Sequence, residues 1–271
     1  MKIGVFDSGF GGLTVLKSLR ATLPDYDYLY LGDNARTPYG DRSPETIYEF
    51  TRQCVAYLFA HDCALVVIAC NTATAHALTR LQTEWLPAHY PDRLLIGVID
   101  PLAAWLCSSA SNAKKVGVIS TRATMNAHAY DKAVAQLCIA PTFELITQAC
   151  PLLVPLIEEG WHSSVPATMI LKSYLRPLKN RQIDTLILGC THYPLIADKI
   201  RRIMGKNVLV INPGHIVAQA VARLITENTA LSAALSHTDS TTFLTTDNAE
   251  KFRILATRFW GSPIAVTTIA L

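Results

Sequence analysis

Val66-Val67-Ile68-Ala69-Cys70-Asn71-Thr72 and Leu186-Ile187-Leu188-Gly189-Cys190-Thr191-His192 follow one plan: a short apolar run, a cysteine, then polar residues that lead into a helical pattern. A strand with no polar alternation must be covered on both faces, as the strands of a parallel sheet are. A second pair of segments lies upstream. Ile3-Gly4-Val5-Phe6-Asp7-Ser8 is similar to Val116-Gly117-Val118-Ile119-Ser120-Thr121, and 66 residues separate Gly4 from Cys70 where 73 separate Gly117 from Cys190. The same order at similar spacing predicts two related α/β halves.

Outward from these segments, further strands are expected at Tyr28–Leu31, Leu95–Ile99 and Val208–Ile211. Amphipathic helical segments fall at Leu13–Leu23, Glu45–Phe59, Thr74–Trp85 and Ala167–Leu178. Strands alternating with helices predict an α/β fold of two pseudosymmetric, doubly wound parallel sheets. Residues 1–97 would form the first domain and 98–208 the second, with 209–271 returning to complete the first. The site would lie in the cleft between them.

The chain of 271 residues is half hydrophobic, enough for cores that need no disulfide staples. Its formal net charge of +3, with scattered basic residues, implies neither nucleic acid nor an anionic membrane as partner. No apolar window is long enough for a transmembrane helix, and the start lacks a signal-peptide pattern. The seven cysteines show no C-x-x-C pair, which predicts reduced thiols and a cytoplasmic protein.

Ligands of open parallel sheets bind beyond the carboxyl ends of the strands, where Cys70 and Cys190 are expected. A thiol at a helix N-terminus meets the positive end of the helix dipole, which is expected to lower its pKa at both positions. Two such thiols facing each other suit inversion of a stereocentre: one face needs a base and the other an acid, and thiols can do both without a metal or coenzyme. Other readings stay open. Strand-end cysteines can be structural, Cys190 and His192 could serve acyl transfer, and zinc would need ligands whose spacing is not recognisable here. Asp7-Ser8-Gly9-Phe10-Gly11-Gly12 has glycines suited to close backbone approach to a ligand but no phosphate-loop spacing, and Asp7 could simply cap the next helix. Pro38-Tyr39-Gly40 reads as an exposed turn whose amides could meet an anion.

Taken in order, these segments resemble the glutamate racemases of the cofactor-independent aspartate/glutamate racemase superfamily. The resemblance runs through Asp7-Ser8-Gly9-Phe10-Gly11-Gly12-Leu13-Thr14-Val15, Gly32-Asp33-Asn34-Ala35-Arg36-Thr37-Pro38-Tyr39-Gly40 and Ala69-Cys70-Asn71-Thr72-Ala73-Thr74. It continues in Pro155-Leu156-Ile157-Glu158-Glu159-Gly160 and Gly189-Cys190-Thr191-His192-Tyr193-Pro194, where aspartate racemases generally carry C-T-E in place of C-T-H. It implies cofactor-free interconversion of L- and D-glutamate for peptidoglycan synthesis, by a homodimer. Cys70 would abstract the α-proton of D-glutamate and Cys190 that of L-glutamate, assisted by Asp7 and His192 respectively. Ser8, Asn71, Thr72, Thr121 and Thr191 would hold the amino and carboxylate groups. The turn Pro38-Tyr39-Gly40 would receive the side-chain carboxylate. Glu159 matches a recurrent acidic position, with no catalytic role assigned to it. Asn34, Asp100 and Asn212 depart from the usual family residues. The first strand starts at Ile3, without the extension of members activated by a peptidoglycan precursor, so such activation is not expected.

Overall fold

A computed structural model describes residues 1–108 and 112–271. The first half runs β1 (Lys2–Asp7), α1 (Leu13–Thr22), β2 (Tyr28–Gly32), α2 (Pro44–Ala60), β3 (Cys63–Ile68), α3 (Asn71–Arg80), α4 (Leu86–His89), β4 (Leu94–Gly97) and α5 (Ile99–Cys107). The second runs β5 (Lys115–Ser120), α6 (Arg122–Asn126), α7 (Ala129–Leu137), β6 (Glu144–Ala149), α8 (Leu153–Glu158), α9 (Val165–Asn180), β7 (Thr185–Gly189), α10 (Ala197–Met204) and β8 (Leu209–Ile211). The chain then returns through α11 (Pro213–Glu227), α12 (Thr229–Ala234), β9 (Thr241–Thr245), α13 (Ala249–Trp260) and β10 (Val266–Thr268).

Two sheets result, ordered β10-β9-β2-β1-β3-β4 and β6-β5-β7-β8, with every pairing parallel. The blocks β2-β1-β3-β4 and β6-β5-β7-β8 have the same order, which is the structural form of the internal repeat. In each, the connection reverses direction on either side of the first strand, so a crevice opens at the carboxyl ends of β1 and β3, and of β5 and β7. Every residue of β2, β3 and β7 is buried, as their unbroken apolar runs require. One apolar cluster runs through both halves, and a second covers the other face of the six-stranded sheet.

Four expectations change. The return to the first half was placed at residue 209, but Leu209–Ile211 pairs with β7 and belongs to the four-stranded sheet. The strand expected at Leu95–Ile99 stops at Gly97, and Ile99 opens α5. The strands β6, β9 and β10 were not anticipated. All are edge or near-edge strands, less fully buried than the central ones, so their sequences lack the long apolar run. Within the helix expected over Thr74–Trp85, α3 ends at Arg80 and a π-helical turn, Leu81–Trp85, leads into α4.

A further change concerns the thiols. Five cysteines are free, but Cys107 and Cys138 form a disulfide across a Cα–Cα distance of 5.4 Å. Packing of α5 against α7 brings their C-terminal ends together, and a sequence separation of 31 residues carries no motif that would announce it. Titration of denatured, unreduced protein is expected to read five thiols. Closing a loop of this length stabilises a chain by about 2–4 kcal/mol, so Cys138→Ser should lower the melting temperature by several degrees. A melting temperature indifferent to both the substitution and a reductant would contradict the bond. Among the described residues, no helix is long and apolar enough to cross a membrane.

Candidate active site

The carboxyl ends of both sheets face one pocket between the two halves. Ser8 reaches it from the end of β1, Cys70, Asn71 and Thr72 from β3 into α3, Thr121 from the end of β5, and Cys190, Thr191 and His192 from the end of β7. Pro38, Tyr39 and Gly40 close it from the loop after β2. Eleven of the twelve residues singled out in the sequence therefore share one cavity. Asp7 is the exception: it is fully buried behind the wall.

Hydroxyl groups stitch the halves together around the pocket. Thr72 of α3 lies 2.9 Å from Thr121 and 3.3 Å from Thr124, oxygen to oxygen, and Thr121 lies 3.0 Å from Thr124. On the opposite wall Thr191 donates to Asp7 Oδ1 at 3.4 Å, and Thr14 donates to the Thr191 carbonyl at 3.1 Å. Asp7 also accepts from the Gly9 amide at 3.0 Å, and burial raises its carboxyl above the ordinary value, opposed by the charge of His192 and by the amides of Gly12 and Gly9 before α1. A side chain on Gly11 would collide with Thr191 and His192. Gly11 thus lets the two halves approach each other, while Gly12 gives room to Asp7 and Ala69 of its own half. Gly40 serves as Gly11 does, since a Cβ there would stand 3.2 Å from Thr121 Cβ. The turn is only partly exposed: Pro38 faces solvent while Tyr39 is buried.

The two thiols have different surroundings. Cys70 starts α3, takes a hydrogen bond from the Ala73 amide at 3.5 Å and lies 3.3 Å from Ser8 Oγ. Burial, reinforced by the charge of Asp7, nevertheless pushes its thiol up to about 12. The lowered value expected from the helix dipole is not found there, because desolvation outweighs the amide. Burial thus keeps Cys70 a neutral thiol at pH 7. A charge on Cys190 is felt at Cys70, so the two sulfurs are electrically coupled.

His192 Nδ1 stands 3.9 Å from Cys190 Sγ, and its Nε2 stands 2.9 Å from Glu158 Oε1. Burial alone would discharge the ring, but hydrogen bonds to Cys190 and Glu158 outweigh it and raise His192 to about 10. A protonated imidazolium therefore faces Cys190 at neutral pH, edge-on to Phe259 of α13. Glu158 was not picked out in the sequence. Its neighbour Glu159 was, and among the described contacts it is Glu158 that meets the histidine. The acidic pair at the end of α8 was a signal, but only the helix phase decides which member points inward. Tyr130 was also missed. It donates to Asn71 Oδ1 at 2.8 Å and thereby turns the amide NH2 of Asn71 toward other acceptors.

The Asp/Glu/Hydantoin racemase family matches residues 11–221. The chain belongs to this family. The racemase is 42% identical over 224 residues to the glutamate racemase of Geobacter metallireducens, covering 82% of this chain and 79% of that one. It is 37% identical to the glutamate racemase of Chlorobaculum parvum over 97% of this chain and 93% of that one. Its fold superposes on a glutamate racemase isoform from Bacillus anthracis with a TM-score of 0.89 at 34% identity, covering 100% of this chain and 97% of that one. The glutamate racemase of Francisella tularensis, solved in complex with D-glutamate, gives a TM-score of 0.87 at 34% identity over 99% and 97% of the two chains. The Picrophilus torridus aspartate racemase, at 18% identity and a TM-score of 0.55, shares the fold. Among the described residues, no cluster of three or more His, Cys, Asp or Glu side chains is placed to hold a metal ion.

Proposed function

We propose that this racemase interconverts L- and D-glutamate by proton transfer at Cα between Cys70 and Cys190, with no cofactor. The observation that carries the reading is the placement of both sulfurs in one pocket, each at the end of the corresponding strand of its sheet. The glutamate racemases it resembles over nearly the whole chain support the choice of substrate. One sulfur removes the α-proton and the other returns a proton to the opposite face, so the two exchange protonation states in each turnover. With Cys70 a neutral thiol and His192 an imidazolium beside Cys190, the resting site suits abstraction by Cys190 and donation by Cys70. This is the L-to-D direction. Asp7 lies close enough for its charge to act on Cys70, while Ser8 makes the direct contact with that sulfur.

The α-proton of an amino acid is very weakly acidic, so charge developing at the carboxylate needs fixed donors. In this reading Asn71, Thr72, Thr121 and Thr191 supply them, and the amides of Tyr39 and Gly40 receive the distal carboxylate. Supply of D-glutamate to peptidoglycan synthesis, a cytoplasmic location and a homodimeric assembly belong to the same proposal.

In heavy water, circular dichroism is expected to show loss of optical activity from either enantiomer of glutamate. Mass spectrometry should find one deuterium at Cα of the newly formed enantiomer. Aspartate should turn over far more slowly, because its side chain is one methylene shorter and its distal carboxylate would reach less far toward the turn. Racemisation of aspartate in preference to glutamate, or tight glutamate binding without exchange, would overturn the assignment.

A further inference from the structure

We infer that Asp33 is the positioning residue of the Thr37–Gly40 turn, and that Thr246 of the returning C-terminal segment locks it in place. The inference rests on the reading in which that turn receives the distal carboxylate of the substrate. Asp33 is fully buried just beyond β2, and neither it nor Thr246 lines the pocket. Its Oδ2 accepts from Tyr39 OH at 2.5 Å and from Arg36 Nε at 2.7 Å, and its Oδ1 accepts from Thr246 Oγ1 at 2.8 Å. Its backbone amide donates to the Asp7 carbonyl at 3.0 Å, which ties the cluster to the end of β1.

Each partner is itself fixed. Arg36 donates to Gln53 of α2 at 2.6 Å and stacks 4.3 Å above the Phe50 ring. Burial, with the charges of Cys54 and Asp33, drives the Tyr39 phenol far above its ordinary value, so it stays a neutral donor. Thr246 accepts from the Ala35 amide at 3.0 Å, and its own amide donates to the Gly32 carbonyl at 3.1 Å. A buried carboxylate is costly unless fully partnered. Here its partners come from four places: the binding turn, α2 through Arg36, β1 through the backbone, and the segment after β9. The carboxylate thus converts the position of the C-terminal return into the position of Tyr39 and Gly40. A rigid turn presents its two amides to an anion without an ordering cost on binding.

Both enantiomers of glutamate share the distal carboxylate, so loosening the turn should weaken both alike. Steady-state kinetics of Asp33→Asn, Thr246→Val and Tyr39→Phe with L- and with D-glutamate test this. Asp33→Asn is expected to raise KM for both enantiomers about tenfold, the scale of one lost hydrogen bond to a charged group. The other two should raise KM about three- to fivefold, the scale of one neutral or partly compensated bond. In all three, kcat should fall by less than the rise in KM. A purely structural role predicts the reverse: fewer active molecules, hence a lower kcat at unchanged KM. That pattern in folded variants, with far-ultraviolet circular dichroism like the parent, would overturn the inference. If Asp33→Asn does not fold, the other two variants decide. A parent protein that does not racemise glutamate overturns the functional reading itself, whereas an active parent with unmoved KM in the variants overturns only the role of Asp33.

Discussion

Replacing either Cys70 or Cys190 with serine is expected to lower racemisation of glutamate by at least about 10³-fold, within the range for loss of a positioned acid–base group. Serine keeps the size and the hydrogen-bonding capacity of the side chain, but its hydroxyl gives up a proton far less readily than a thiol. Far-ultraviolet circular dichroism should be unchanged, because the substitutions remove no packing volume from either sheet. The two variants should differ in what remains. The equilibrium constant between enantiomers is one, so kcat/KM must fall equally in the two directions whichever sulfur is lost. The asymmetry therefore shows in exchange without inversion. Cys70→Ser leaves Cys190 able to remove and return the α-proton of L-glutamate, so deuterium from heavy water should enter L-glutamate but not D-glutamate. Cys190→Ser should show the opposite. Racemisation at the parental rate in either variant would sink the two-thiol mechanism. Exchange into the same enantiomer by both would keep the thiols and reverse or erase their assignment.

The strand ends were legible because burial on both faces leaves a mark that one sequence suffices to show. Val66–Ile68 and Leu186–Leu188 read as central parallel strands, and each is followed one residue later by its cysteine. The repeat then placed the two thiols in equivalent positions, and the identical strand order of the two blocks is the outcome. What the sequence hid depends on contacts between distant segments. The glycines after β1 could be read as freedom to approach something; that Gly11 approaches Thr191 and His192 of the other half exists only in the folded molecule. The disulfide is similar, since only the packing of α5 on α7 brings Cys107 to Cys138. At Cys70 two opposed effects act, and the sequence reveals the helix N-terminus but not the depth of burial that overrides it. Glu158 and Glu159 differ by one step of helix phase, about 100° around the axis, which no composition or spacing argument resolves.

The second large effect is expected at His192. Its imidazolium faces Cys190 because two hydrogen-bond partners outweigh the cost of burying the charge. In the proposed mechanism it neutralises charge on that sulfur as the proton moves. His192→Asn removes the cation while keeping a polar side chain, and should lower kcat/KM by about 10²–10³-fold, the scale of one preorganised electrostatic contact. Exchange of deuterium into L-glutamate should suffer more than exchange into D-glutamate, since only the former begins at Cys190. Glu158→Gln leaves the ring in place but withdraws the negative partner 2.9 Å from Nε2, and a fall of about tenfold is expected. The sign of the pH response follows from the direction of the shift. A histidine raised in the folded protein is charged below its folded value, so activity should hold through neutrality and fall as pH rises through about 10. Its contribution to stability is complete below the ordinary value of 6.5 and is lost by about 10. Without the Glu158 carboxylate, burial is less well opposed, and the alkaline limb should move to lower pH. A limb that stays in place in Glu158→Gln would assign it to another group. A limb that moves upward would mean that Glu158 does not hold the proton on His192, and the pair would then be a structural contact alone.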